Sequence, residues 1–171
     1  SNQNVNLDGL KIVDEATGMS VALIGSDGIY SAVVVSGANQ TIDLSEITVP
    51  DDLTVLVLQN EINTEVNFKI IKKVPKSTFV ILNAAPALTP NNDFFERIDL
   101  LVVNQLEAKM LLNEEPSIFN NLDALRKLQN LGPKEVIITM GADGYTGISK
   151  NGEIFSEPGI KVDVLSTHGA G

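Results

Sequence analysis

The sequence predicts an α/β protein: a mostly parallel sheet with helices on both faces, plus a small β lid. Three observations predict it. From Leu53 onward, short apolar, β-branched runs alternate with segments whose apolar residues recur at helical spacing, the pattern of βαβ crossovers. Polar residues or glycines punctuate the end of each run, where a parallel sheet gathers its ligands. Ahead of Leu53, two apolar runs follow one another with no helix between them.

The elements follow in order. "MSVALIGSDGIYSAVVVSGAN" reads as two strands around "SDG", an antiparallel flap. This divides the chain into a lid and hinge over residues 1–38 and an α/β core over 39–171. "LTVLVLQ" reads as a buried strand, being short, apolar and rich in branched residues. "NTEVNFKIIKKV" carries Val66, Ile70 and Val74 at helical spacing and stops before Pro75, as a helix should. "TFVILNAA" is a second buried strand. "TPNNDFFERI" offers Thr89 as an N-cap with Pro90 in the first helical position, both favoured there.

"DLLVVN" is the third strand and "QLEAKMLL" a short helix. "LDALRKLQNLG" is a longer helix, with Gly132 expected to cap its end because glycine tolerates a left-handed backbone. "EVIITMG" is the fourth strand, and "TGISKNGEIFS" a hairpin turning at Asn151-Gly152, a favoured two-residue turn.

Composition narrows the function. The 171 residues suit one domain, and 43 % hydrophobic content can fill its core. With no cysteine, nothing argues for disulfides, a thiolate-bound metal or a cysteine nucleophile. The formal net charge is −10, with 22 acidic against 12 basic residues and no strong basic cluster. Nucleic acid and anionic membranes are therefore not expected partners. The apolar runs are too short to span a bilayer, and a cytoplasmic protein is the expectation. An anionic ligand would be held by backbone N–H groups, a helix N-terminus and a divalent cation.

The strand ends carry the candidate chemistry: Gln59-Asn60-Glu61, Asn83, Asn104 with Glu107, Thr139 with Gly141 and Gly144, and finally Gly169-Ala170-Gly171. In a parallel sheet all five line one rim. In "NQLE" an amide and a carboxylate share one face of a helix start. That suits phosphate and the water shell of Mg²⁺, and equally suits a capping box in which each side chain serves the other's backbone. "TMGADG" lets backbone approach a ligand or simply makes a turn. "THGAG" can form an anion hole from successive N–H groups or, again, a structural turn. His168, the single histidine, offers a general base or only its backbone. Glu61 is a hydroxyl acceptor or a solvated helix start.

In their order these pieces resemble the ribokinase-like carbohydrate kinases, the phosphofructokinase B-type sugar kinases, from about Thr17 to Gly171. "TGMSVALI … VVVSGAN" resembles that family's substrate lid, and "LVLQNE" its Gln-x-Glu sugar contact. "VILNAAPA" is similar to the Asn-Pro-Ala-Pro-Ala segment, with Ala84 in place of the first proline. "VVNQLEAKMLL" resembles the Asn-x-x-Glu helix, "VIITMGADG" the nucleotide-lining segment, and "STHGAG" the anion-hole signature.

The resemblance implies an ATP-dependent phosphotransferase acting on a hydroxyl or hydroxymethyl group of a pentose or hexose. It implies ATP contacts at Asn104, Thr139, Gly141 and Gly144, and a magnesium shell at Glu107. It further implies sugar contacts at Glu61 and from the lid at Ala22 and Ile24, and an oxyanion-type hole at Gly169, Ala170 and Gly171. The family's base is an aspartate directly after Gly-Ala-Gly, so the chain is expected to be an internal piece of a protein about twice as long, inactive by itself. Ser166 and His168 replace the first and third residues of the family's usual Asp-Thr-Thr. The aspartate that helps hold its activating potassium ion is thus missing, and a monovalent cation is not carried over. A homodimer through the lid strands is also implied. Two other readings stay open on the same fold: a non-catalytic nucleotide- or sugar-binding regulatory domain, and a nucleoside or vitamin kinase.

Overall fold

The computed structural model describes residues 7–24, 30–88, 92–114 and 120–162. β1 (Met19–Ile24) and β2 (Tyr30–Val35) form a separate antiparallel ribbon, the lid read from the sequence; its "SDG" turn lies outside the described residues. Two short 3-10 segments, Gly37–Thr41 and Leu44–Glu46, lead into the main body.

That body is a six-stranded sheet. β3 (Val55–Gln59), β4 (Phe79–Asn83), β5 (Leu100–Asn104) and β6 (Glu135–Thr139) lie in sequence order and run parallel. β7 (Tyr145–Ile148) and β8 (Ile154–Glu157) continue the sheet as an antiparallel hairpin. Gly152 at its tip has φ +81°, a conformation that glycine adopts freely. The mostly parallel α/β sheet with a small lid is the architecture expected from the alternating pattern.

The helices form where local chemistry asks for them. α1 (Thr64–Lys73) starts with the Asn63 side chain accepting the Glu65 N–H at 2.9 Å, which satisfies one otherwise orphaned donor. Glu65 stands in its first turn and Lys72 and Lys73 in its last, each matching the helix dipole. It ends as Val74 turns extended ahead of Pro75, the residue before proline being steered out of helix. α2 (Asn92–Phe95) is a single turn; the expected Thr89 cap and Pro90 lie outside the described residues. α3 is Gln105–Leu112 and α4 Asn121–Gln129.

Alternate strand residues Leu58, Val80, Leu82, Leu101, Val103, Val136 and Ile138 are buried against Ile70, Ile71, Phe94, Phe95, Leu111, Leu125 and Leu128. Each such side chain contributes about 1.5–3 kcal/mol of burial. Among the described residues these helices cover one face of the sheet, where the sequence pattern suggests cover on both. On the other face Val55, Val57 and Phe79 are exposed.

The reading of "LTVLVLQ" as a buried strand is therefore corrected on one face: Leu58 is buried, but Val55 and Val57 are exposed among the described residues. Among the described residues β3 is the outermost strand of the main sheet and packs on one face only, and a run of branched residues does not distinguish one covered face from two. Gly132 is corrected likewise. α4 is capped by Asn130, still in the right-handed region. Gly132 is needed because its φ is +134° and a Cβ there would meet the Glu96 nitrogen at 2.7 Å.

Asp99 ties the amino ends of the strands together. Its carboxylate accepts the Val80 N–H at 2.8 Å and pairs with Lys134 at 2.5 Å and Arg97 at 3.2 Å. Burial opposes ionisation, but the Lys134 hydrogen bond, the Val80 N–H and the two cations outweigh it, and the carboxyl titrates below its ordinary range. Among the described residues no helix is long and apolar enough to cross a membrane.

Candidate functional site

The carboxyl ends of β3 to β6 lie side by side. Register places Gln59 against Asn83, Asn83 against Val102, and Asn104 against Thr139. The polar punctuation thus becomes a single rim, because parallel strands must all end on the same edge. Four of the five candidate strand ends converge there. The fifth, Gly169-Ala170-Gly171 with the neighbouring His168, lies outside the described residues.

Two of the clefts that open above the rim among the described residues hold most of these side chains. One, of about 700 Å³, lies between the segment after the lid and the loops after β3 and β4; Glu61, Gln40, Asn60, Asn63, Val34 and Ala85 line it. The other, of about 740 Å³, is lined by Asn83, Ala85, Asn104, Glu107, Thr139, Gly141, Gly144 and Tyr145. Ala85 belongs to both. The sequence-predicted residues therefore separate into a Glu61 compartment and an Asn104–Glu107–Thr139 compartment that share a wall.

Asn104 and Glu107 make the capping box that one reading of "NQLE" anticipates. The Asn104 side chain accepts the Glu107 N–H at 2.8 Å, and Glu107 Oε2 accepts the Asn104 N–H at 2.8 Å. This does not use up the carboxylate, whose two oxygens offer about four acceptor sites. It holds the group rigidly on the wall of the second cleft. Among the described residues no three acidic or histidine side chains cluster to form a metal cage. One fixed carboxylate beside amide oxygens nevertheless fits magnesium, which keeps most of its waters and takes its remaining ligands from one or two carboxylates and substrate phosphates.

Thr139 is exposed at the end of β6, its hydroxyl donating to the Val103 carbonyl at 3.4 Å. The glycines beyond it differ. At Gly141 (φ +59°) a Cβ would meet nothing within 4 Å, so its backbone is open to close approach by a ligand. At Gly144 (φ +87°) a Cβ would lie 2.0 Å from the Glu157 carbonyl oxygen and 2.5 Å from Pro158. The chain itself accounts for glycine there.

Several lining residues went unread in the sequence. Tyr145, Pro158 and Gly159 complete the second cleft, and a Cβ on Gly159 would meet the Ala142 carbonyl oxygen at 2.1 Å. "EPGI" after a strand was the one available signal. Gln40 on the first cleft carried none, since amides in loops are commonplace, whereas Asn60 belongs to the Gln59-Asn60-Glu61 stretch read at the end of β3. Ala22 and Ile24 lie in β1 opposite Ala32 and Tyr30. They share strand parity with Ser20, the partner of Val34, and Val34 lines the Glu61 cleft.

Comparison with known proteins assigns this architecture to a family. The sequence profile described as "pfkB family carbohydrate kinase" matches residues 1–171. The chain belongs to the pfkB family of carbohydrate kinases. It is 32 % identical to a ribokinase of Arabidopsis thaliana, covering 98 % of this chain and 47 % of the relative. Two solved structures are similar as well. One is Arabidopsis thaliana ribokinase complexed with ribose and ATP, at 30 % identity and TM-score 0.74, covering 92 % of this chain and 53 % of that one. The other is Cryptococcus neoformans ribokinase in complex with ADP, at 26 % identity and TM-score 0.82, covering 99 % and 60 %. The chain spans about half the length of the curated relatives it matches.

Proposed function

We propose that the full-length protein is an ATP-dependent sugar kinase of the cytoplasm. The observation that carries this is the pair of clefts meeting at Ala85 on one rim of a pfkB-family sheet. The Glu61 cleft receives the sugar and the Asn104–Glu107 cleft the triphosphate. The fold's relatives supply the ligand classes, since one is complexed with ribose and ATP and another with ADP.

Phosphoryl transfer asks the protein mainly for position and charge stabilisation. Glu61 orients the acceptor by taking a hydrogen bond from a sugar hydroxyl, while Ala22 and Ile24 on the lid strand help exclude water. Asn104, Thr139 and the open backbone at Gly141 hold the nucleotide phosphates. Glu107 would hold the water shell of magnesium, which would supply charge neutralisation on the triphosphate. The backbone N–H groups of Gly169, Ala170 and Gly171 are assigned to the charge growing on the γ-phosphoryl; one donor of that kind typically carries about 2.7–4 kcal/mol of barrier. The acceptor oxygen attacks the γ-phosphorus, the bond to the β–γ bridging oxygen breaks, and the hydroxyl proton passes to the base that the family places after Gly-Ala-Gly.

Incubating the full-length protein with ATP, Mg²⁺ and a panel of pentoses, hexoses and nucleosides is expected to release ADP in step with sugar phosphate. ADP formation that no sugar accelerates would overturn the proposal. Acceleration by nucleosides alone would move the acceptor class.

The lid suggests a second copy of the chain as partner. Cross-strand pairs Met19–Val35 and Val21–Val33 put four exposed apolar side chains on the face opposite Val34, an unusual surface for a free ribbon. Val33→Asp is expected to lower the dimer fraction measured by sedimentation velocity. A protein that sediments as a monomer before the substitution would remove the lid from this role.

A further inference from the structure

We infer that Asn60 is a positioning residue that fixes the reach of Glu61 by locking the loop after β3 to the loop after β4. The inference rests on the assignment of Glu61 to the sugar cleft. Among the described residues no hydrogen bond holds the Glu61 carboxylate itself, and the residue is exposed. Its direction is therefore set by the backbone that carries it.

That backbone is held at three consecutive residues. The Gln59 carbonyl accepts from the side-chain amide of Asn67, a fully buried residue of α1, at 2.8 Å. The Asn60 N–H donates to the Ala85 carbonyl at 3.2 Å, and Asn60 Nδ2 donates to the Pro86 carbonyl at 2.9 Å. The Glu61 carbonyl accepts from Gln40 Nε2 at 3.3 Å. Of these braces, Asn60 is the one that crosses between the two loops, and it is only 5 % exposed. Its side chain spends a polar group on the wall of a cleft rather than on substrate. Because it grips Ala85 and Pro86, it also sets the distance from Glu61 to the wall shared with the second cleft.

An amide that only stabilised the fold would affect both substrates alike. A positioning amide affects the sugar. In the full-length protein, Asn60→Leu, similar in size but without a donor, is expected to raise the sugar KM roughly 3–10-fold, the equivalent of one net hydrogen bond. The KM for ATP should stay within about twofold on the same ground. Glu61→Ala is the reference and should raise the same KM at least as far. If Asn60→Leu does not yield folded protein, Asn60→Ser, whose hydroxyl falls short of Pro86, provides the same readout. A sugar KM unchanged in the folded variant, or both KM values shifted together, overturns the positioning role while Glu61→Ala still reports on the sugar site. If Glu61→Ala also leaves every acceptor's KM unchanged, it is the assignment of Glu61 to the sugar cleft that has failed.

Discussion

Glu107→Gln in the full-length protein is expected to fold like its parent and to lose about 10–100-fold of its turnover at low magnesium, the range seen when a group orienting a metal's ligands is removed. The capping box is what makes the substitution informative. Glutamine can fill the third helical position as glutamate does, so the bond to the Asn104 N–H at 2.8 Å is kept while the charge is lost. The helix start loses the attraction of a carboxylate for its N-terminal dipole, about 0.3–1 kcal/mol, which shifts the melting temperature only slightly. The magnesium requirement should rise, and excess magnesium should recover part of the rate. Glu107→Ala breaks the box as well and is expected to lose stability besides. A magnesium titration that superimposes on the parent's would take Glu107 out of its proposed role.

The second large effect is expected at the turn after β6, where two glycines separate. Gly144→Ala adds a methyl 2.0 Å from the Glu157 carbonyl oxygen at φ +87°. It incurs about 1–3 kcal/mol for the backbone region and about 1–3 kcal/mol more for overpacking. Gly141→Ala has open space and φ +59°, so only the left-handed penalty of about 1–2 kcal/mol applies. In activity the order should reverse. The added methyl at 141 projects into open space at a turn on the cleft proposed for the nucleotide and is expected to raise the KM for ATP, whereas 144 acts through stability. Urea midpoints and KM values for the two variants check both halves. Equal midpoints would show that the hairpin yields to the extra methyl more easily than its packing indicates.

How much of this was legible depends on the range of the interactions. Strands β3 to β6 and the start of α1 announce themselves in a few neighbouring residues: branched apolar runs, Asn63 as cap, Val74 before Pro75. That their polar ends share a rim follows from parallel topology alone. Misreadings arose where one local pattern serves two environments. Val55 and Val57 look like core residues and lie exposed on the outermost main-sheet strand among the described residues, and Gly132 looks like a helix cap but makes room for the backbone at Glu96. Asn104 and Glu107 were legible as a pair in either of two roles, and the hydrogen bonds supply the structural one. Asn60 was legible only as part of the polar Gln59-Asn60-Glu61 stretch, and Tyr145 and Gly159 were not legible as site-building residues, because the partners of all three come from other parts of the chain. Asn60 meets a loop twenty-five residues away, and Gly159 meets a turn formed before the hairpin.

One alanine backs both compartments, and that partition constrains how such a scaffold can diversify. A larger side chain at 85, a half-buried position that lines both clefts, would stand at the border of the two chambers and compete with what occupies them. If the Glu61 cleft takes the acceptor as proposed, room for a bulkier one must come from the ribbon side, near Val34 and Gln40, or from the turn at Asn63. Variation in acceptor size should accumulate along those borders, leaving the partition small.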